Sequence, residues 1–424
     1  MSERKRYVLA GSGSRGLYMF AKPLINEFTQ YCELVGLFDH NPIRLRAYQD
    51  MINKPVPIYT DFQDMLKQAN PDAVIITTRD STHSDFIQQT LAAGKRAISE
   101  KPLCVNAQQC RDILNAEAKH KAKGAKCFVT HNMRYGPAIL EIKRLLTSGA
   151  IGQLKTINFH ENLDRKHGAD YFRRWHRVKA NSGGLLIHKA SHHFDCLNYL
   201  VGSRPDELVA TGGTLFYGKN GPFRHSRCYQ CPHAKKCDFY VDMWTHEHNV
   251  KLFKEAEAAD GYIRDGCVFD PEIDIEDQAG VLYKYQNGVH VTYSLTAFAT
   301  YEGWHIQFEG TEGRLELKEI HDTQWAAGNI LVHGMEKAVG ESLILFSPKT
   351  GLKQIEIPKV EGGHGGADAG IQHDFFGRPF DAPPTELQAP LEEAIQAVLI
   401  GHAANVSIAN GSRPVRVQDF LKHG

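Results

Sequence analysis

Tyr7-Val-Leu-Ala-Gly11-Ser-Gly13-Ser-Arg-Gly16 decides the fold of the first part of this chain: a short apolar run breaks into three glycines, and a helical pattern over 17–28 follows at once. Strand, tight turn and helix in that order open a doubly wound sheet. Gly11 permits the turn, Gly13 lets a diphosphate approach the backbone, and Gly16 lets helix and strand pack closely. The helix N-terminus, with Ser14 and Arg15 on its first turn, then faces the phosphates of a dinucleotide. A lone glycine motif is weak evidence, so the context matters. A second strand, 33–38, ends in Asp39, 23 positions after Gly16, where a carboxylate can take both ribose hydroxyls of the adenosine half. An acid there disfavours a 2′-phosphate, so NAD is expected ahead of NADP.

The alternation continues: strand 57–60, helix 61–69, strand 73–78, helix 84–93, strand 96–99, helix 107–120 and strand 127–130. Strands alternating with helices predict an α/β fold, an N-terminal Rossmann domain over 1–125 with a parallel sheet. Ligands of such sheets sit at the carboxyl ends of the strands. Those ends carry Thr77, Thr78 and Arg79, then Glu100, Lys101 and Pro102, then His131, Asn132 and Arg134.

The bulk numbers narrow the field. A chain of 424 residues is long enough for two domains. Lysine plus arginine (49) equals aspartate plus glutamate (49), so no global field draws it to nucleic acid or to an anionic membrane. No apolar run approaches the ~18 residues of a membrane helix, and a cytoplasmic location is expected. Nine cysteines, an odd number in a large chain, fit a reducing compartment better than a disulfide framework.

At Glu100-Lys101-Pro102, together with Thr78-Arg-Asp-Ser-Thr-His83 and Asn132-Met-Arg134-Tyr-Gly-Pro137, the sequence resembles the Gfo/Idh/MocA family of glucose-fructose oxidoreductase, inositol dehydrogenase and relatives, over nearly its whole length. The resemblance implies that Lys101, after the fifth strand, reaches both nicotinamide ribose and substrate. It places Thr77, Thr78, His83, Glu100 and Asn132 along the cofactor and Arg134 at the substrate. Arg79 departs from the proline that relatives often carry there, which bears on the loop's shape.

Gly183-Gly-Leu-Leu-Ile-His188-Lys189-Ala-Ser-His192-His193-Phe-Asp195 is the most chemically loaded segment of the second half. At helical spacing 188, 192 and 195 share one face. Oxidising an alcohol needs a base for the hydroxyl proton while hydride leaves, and histidine titrates near working pH. His192 is the expected base. The stretch is similar to the family's pattern, in which an aspartate four residues before the histidine assists it; here that position is His188, which keeps hydrogen-bonding capacity without a fixed negative charge. Two histidines four apart also have metal-ligand spacing, a reading ranked below acid-base chemistry. Lys189 and His193 are expected at the substrate. Upstream, Tyr171-Phe-Arg173-Arg174-Trp175-His176-Arg177 joins aromatic faces to guanidinium groups, suited to a polyhydroxylated ring or a carboxylate, with Arg174, Trp175 and His176 favoured as contacts. The glycine-rich stretch His364-Gly-Gly-Ala-Asp368, with His373, either joins this pocket or forms a surface loop.

Cys228, Cys231, Cys237 and Cys267 are separated by two, five and 29 residues. A tetrahedral structural zinc is the leading use of that spacing; an iron–sulfur site and buried free thiols are the alternatives. The site would staple a low-periodicity insertion, 218–270, to the second domain. From Gly280 the pattern turns to period two, with hairpin signals at Asn287-Gly288 and Gly310-Thr-Glu-Gly313. The second domain, 126–424, is thus predicted as α+β with an open, mainly antiparallel sheet, closed by a core helix over 391–408. The family resemblance implies a homodimer or homotetramer built on that sheet.

The function these features imply is oxidation of a ring hydroxyl of a carbohydrate (sugar, glycoside, sugar acid or inositol), with hydride passing to NAD(P), His192 taking the proton and Lys101 polarising the oxygen. Glycoside cleavage through transient oxidation by bound NAD, and a non-catalytic NAD-dependent sensor, are the competing readings.

Overall fold

Strand β1 (Lys5–Ala10) is buried from Tyr7 to its end, as a strand inside a parallel sheet must be. Around it run β2 (Cys32–Phe38), β3 (Ile58–Tyr59), β4 (Ala73–Ile76), β5 (Arg96–Ser99) and β6 (Lys126–Val129). Their order in space is β6-β5-β4-β1-β2-β3, all parallel, and the short antiparallel strand Ala389–Pro390 closes the β6 edge. That is the Rossmann sheet the alternation predicts. The helix after the glycine turn starts as Ser14–Gly16, passes through a π-helical turn, Leu17–Ala21, and resumes as Lys22–Asn26. Asn41 caps Pro42–Ile52 by accepting from the amides of Ile43 and Arg44; Asp61 and Asn106 do the same for the helices that follow them. The structure, a computed structural model, describes residues 4–321, 324–325, 330–331, 338–360 and 363–422.

The chain divides into two compact units, and the division corrects the expected boundaries. The first unit takes Met1–Gly136, Met243–Ile263 and Glu361–Val398. Strand β6 pairs with β5, so the first stretch runs past residue 125. The later stretches join it because they fill its core: Leu252, Phe253, Ile371, Phe375 and Phe376 belong to one apolar cluster with Tyr7, Leu9, Phe20 and Phe28. Phe376 meets Tyr7 edge-on at 5.4 Å between ring centres. The expected insertion 218–270 is therefore not one body, since its middle belongs to the first unit.

The second unit takes Pro137–Asp242, Arg264–Val360 and Leu399–Gly424. Its sheet comprises β7 (Leu154–Asp164), β8 (Pro205–Gly213), β9 (Gln278–Tyr285), β10 (His290–Ala299), β11 (Gly303–Gly310) and β12 (Arg314–Ile320). After a separate two-stranded pair, β13 (Gln324–Trp325) with β14 (Ile330–Leu331), come β15 (Gly340–Ser347) and β16 (Gly351–Ile355). The sheet order is β16-β15-β12-β11-β7-β10-β9-β8, edged by Val415–Arg416. Among the described residues of this sheet only β10 and β7 pair in parallel, so the mainly antiparallel expectation holds, and both hairpins turn where the glycine signals place them. Phe194, on the helix Ser191–Val201, packs on Tyr293 at 5.0 Å. The closing helix, Leu391–Ala409, begins in the first unit and ends in the second. Among the described residues no helix is long and apolar enough to cross a membrane.

Candidate cofactor and substrate sites

In the first unit the three glycines act as their spacing suggests. Gly11 has φ +99°, and a side-chain carbon there would lie 2.6 Å from the carbonyl oxygen of Thr77. At Gly16 it would lie 2.7 Å from the Thr77 hydroxyl. At Gly13 nothing stands within 4 Å. The turn is thus locked on two sides and open at the glycine where a diphosphate would pass, a cradle that fits a dinucleotide. Asp39, buried at the end of β2, accepts from the Ser12 amide (3.0 Å) and hydroxyl (2.6 Å) and from the Asn41 amide (2.9 Å). These bonds aim the carboxylate at the β1 turn.

Arg15 joins the glycine turn to two carboxylates. It donates to Glu100 at 2.8 Å and makes a two-pronged pair with Asp368 at 3.0 and 3.1 Å. Burial works against its charge, but Glu100 and Asp368 more than compensate and hold the guanidinium above its ordinary value. Asn132 donates to the same Asp368 at 2.8 Å. Glu100 also accepts from the Lys101 amide, and Lys101 itself is half-buried at the end of β5. Thr77 is turned back onto the carbonyls of Ala10 and Gly11, and Thr78 accepts from Thr82.

Two expected contact residues of this unit have other work. His83 is buried, its ring nitrogens facing the carbonyls of Pro102 (2.8 Å) and Thr78 (3.1 Å), so it ties the loops after β4 and β5 together and offers the cofactor no open nitrogen. Arg134 is fully buried against Glu393 at 2.8 Å, a structural ion pair and not a substrate contact.

Asp80, part of the Thr78–His83 motif but assigned no role in it, is buried beside these loops. Burial pushes its carboxyl up to about 7, with His83 and Lys101 pulling it down and Glu100 pushing it up. Below about pH 4 such a carboxyl is protonated whether the chain is folded or not. Between that value and 7 only the folded chain keeps the proton, so stability falls as pH rises through the window, by up to about 1.4 kcal/mol per unit. Asp80→Asn is expected to flatten that slope in urea titrations from pH 4 to 8. Parallel profiles for the two proteins would remove Asp80 as its source.

In the second unit the histidine segment is not one helix. Gly183 and Gly184, at φ +71° and +77°, turn the chain into a short helix, Leu185–His188; a second, Ser191–Val201, starts three residues later. Lys189 and Ala190, both with right-handed helical backbone, join the two as a turn. His188 enters an aromatic group, 4.3 Å from the ring of His176 and 5.4 Å from that of Tyr171, while Trp175 stacks on His176 at 3.8 Å. His192 is half-buried on the first turn of the second helix. Arg174 pairs with Asp170. His193 is buried, bonded to the Tyr293 hydroxyl at 2.8 Å and packed on Phe159, which makes it a core residue and corrects its expected place at the substrate.

Tyr171 also links the aromatic group to a charged relay that sequence reasoning did not find. Tyr171 meets His167 at 3.0 Å, and His167 meets Glu302 at 2.6 Å. Lys189 pairs with buried Glu161 at 3.1 Å. Burial opposes the lysine's charge, yet Glu161, Tyr171 and Glu302 hold it well above its ordinary value. Burial also pushes the Tyr171 hydroxyl up to about 12, against the pull of Lys189. Glu161 and Glu302 sit on or beside alternating strands, and period-two patterning does not distinguish a buried carboxylate from an exposed one.

The four cysteines line one small cavity with Arg173, Phe239 and Tyr240. Cys228 lies 3.4 Å from Arg173 Nη1, and Cys228 and Cys237 accept from the amides of Val241 and Phe239. Among the described residues, however, no three Cys, His, Asp or Glu side chains converge as a metal-binding group. The spacing brings the thiols to a common wall without assembling them. His373, exposed on its helix, meets the ring of Phe28 edge-on at 5.3 Å, and the side chain of His364 lies outside the described residues.

Residues 5–131 match the model of an oxidoreductase family with an NAD-binding Rossmann fold, GFO_IDH_MocA, and residues 143–417 match its C-terminal alpha/beta domain. The chain is 32% identical over 437 residues to "Putative oxidoreductase YteT" of Bacillus subtilis, covering 99% of each. It is 30% identical over 224 residues to the scyllo-inositol 2-dehydrogenase (NAD(+)) of the same organism, covering 53% of this chain and 60% of that one. Among solved structures, an oxidoreductase domain protein from Kribbella flavida superposes with a TM-score of 0.68 at 17% identity, covering 98% of this chain and all of that one. The WlbA dehydrogenase from Bordetella pertussis, in complex with NADH and UDP-GlcNAcA, gives 0.65 at 18% identity, with coverages of 98% and 99%. With the order of the first sheet, the open cradle at Gly13 and both family models in agreement, the chain belongs to the Gfo/Idh/MocA family and is an NAD-binding dehydrogenase.

Proposed function

We propose that this enzyme oxidises a ring hydroxyl of a sugar, sugar acid or inositol. The observation that carries the reading is the aromatic group of Trp175, His176, His188 and Tyr171, whose Tyr171 is near enough to the Lys189–Glu161 pair to act on the lysine's charge: flat faces for a pyranose or cyclitol ring, with fixed charge and a tyrosine–histidine–glutamate relay for its hydroxyls. The naming of relatives as inositol dehydrogenases points the same way. A bound nicotinamide supplies the hydride acceptor. Gly11, Gly13 and Asp39 hold the dinucleotide, Lys101 polarises the reacting oxygen, and His192 accepts the hydroxyl proton. Neither an NAD-dependent glycosidase nor a non-catalytic sensor is favoured by the relatives. A panel of sugars, sugar acids and inositols screened with NAD+ at the absorbance of reduced nicotinamide is expected to show turnover with at least one cyclic polyol; no turnover by protein that binds NAD+ would overturn the reading.

The cysteine cavity supports a separate structural proposal, one zinc ion held by Cys228, Cys231, Cys237 and Cys267 after rotation of side chains that already share a wall. The expected result is about one zinc per chain by elemental analysis, with a lowered melting temperature after chelation. Freshly purified protein without stoichiometric metal would leave the four thiols as packing groups.

A further inference from the structure

The stretch Met243–Ile263 does more in the first unit than fill its core. Its residue Asp260 pairs with Arg44 at 2.7 Å, and Arg44 also lies 3.5 Å from Asp39, the carboxylate at the end of β2. The Arg44 Nε donates to the carbonyl of Leu252 at 3.1 Å, and Asn41 donates to that of Ala256 at 2.9 Å, so the same stretch fixes the arginine from two sides. Arg44, Asp39 and Asp260 are all nearly buried. His40 stands exposed at the rim, its nitrogens 3.3 Å from Asp39 and 3.7 Å from Asp260.

An arginine close behind the strand-end acid is the residue type that accommodates the 2′-phosphate of NADP. Here its guanidinium is engaged by a second carboxylate that arrives from 216 residues away. We infer that Asp260 is a cofactor-selectivity residue: it withholds Arg44 from a 2′-phosphate and adds a second negative charge beside Asp39, so that this chain takes NAD and rejects NADP. The rejection works by like charge and by occupation of the cation, a penalty against the wrong ligand and not an added contact to the right one. The inference rests on the reading that the β1–β2 edge holds a dinucleotide's adenosine half.

The test is equilibrium titration of the full chain with NAD+ and with NADP+, followed by calorimetry or intrinsic fluorescence and free of any turnover. The parent is expected to bind NAD+ at least about tenfold more tightly. Asp260→Asn, equal in size, should shift the ratio of the two dissociation constants toward NADP+ by about tenfold or more. Asp260→Glu should hold the parent ratio, and Arg44→Ala added to Asp260→Asn should cancel the gain. An unshifted ratio in Asp260→Asn overturns the inference, as does a parent that prefers NADP+. Arg44→Gln in the otherwise parental chain is a second test that does not depend on Asp260→Asn folding. Its ratio should hold, whereas a specific tenfold loss of NADP+ binding would show that Arg44 already serves a 2′-phosphate and overturn the inference. Binding of neither dinucleotide by folded parent would defeat the cofactor reading itself; binding of NAD+ with an unmoved ratio would defeat Asp260 alone.

Discussion

Methionine at Lys101 is expected to lower kcat/KM for the oxidised alcohol by about a thousandfold, roughly 4 kcal/mol of transition-state stabilisation, with most of the loss in kcat. Methionine keeps the length and the apolar stem of the side chain and removes only the charge, so packing at the end of β5 is spared. The reason for so large an effect is the setting of the lysine: half-buried, at the end of β5, directly after Glu100 and close enough to buried Asp80 to be felt there. A cation held in partly dry surroundings stabilises charge developing on oxygen far better than one in water. The same substitution should raise the Asp80 carboxyl further, because Lys101 is one of the charges pulling it down. Steady-state kinetics on whichever polyol the screen identifies gives the measurement, and a Lys101→Met enzyme within tenfold of the parent would take this residue out of the chemistry.

The glycine turn should respond to two substitutions in opposite ways. Gly13 has an extended backbone, φ −84° and ψ 169°, and open space where its side chain would be. Gly13→Val is therefore expected to fold with stability within about 1 kcal/mol of the parent and to lose NAD+ affinity by about a hundredfold or more, since the valine would occupy the diphosphate's path. Gly11→Ala meets a positive φ and the backbone of Thr77 together. It is expected to cost roughly 3 kcal/mol or more of stability before any ligand is added. Urea unfolding read beside NAD+ titration separates the two effects. A Gly13→Val protein that binds NAD+ like the parent would mean that the dinucleotide does not pass over this turn.

The sheet, the glycine turn, Asp39 and both hairpins were readable in the sequence because each depends on contacts between near neighbours: a period of two, a residue that tolerates positive φ, an acid at a strand end. The side chains that complete the sites were not, because their partners are remote. Arg15 meets Asp368 across 353 positions and Ser14 meets His248 across 234. Direction was equally hidden. Arg134 and His193 occupy stretches with the right chemistry but point into the protein, onto Glu393 and Tyr293. The histidine segment reads in the sequence as one helical run, whereas two short helices meet there in a turn at Lys189-Ala190. Cysteine spacing shows which thiols can meet, and the structure brings them to one cavity without converging them.

Because the first unit draws on three separated lengths of chain, its completion is tied to the order of synthesis. The glycine turn leaves the ribosome first, yet Phe376, which packs on Tyr7 and Phe20, is made more than 350 residues later. At about 5 to 20 residues per second, the growing sheet waits on the order of half a minute, its apolar face lacking the rings that cover it in the finished protein. Cutting the gene after residue 136 would make that wait permanent. A fragment so produced would carry every glycine of the dinucleotide motif and still expose the patch around Tyr7, Phe20 and Phe28, a surface better suited to clumping than to holding a cofactor.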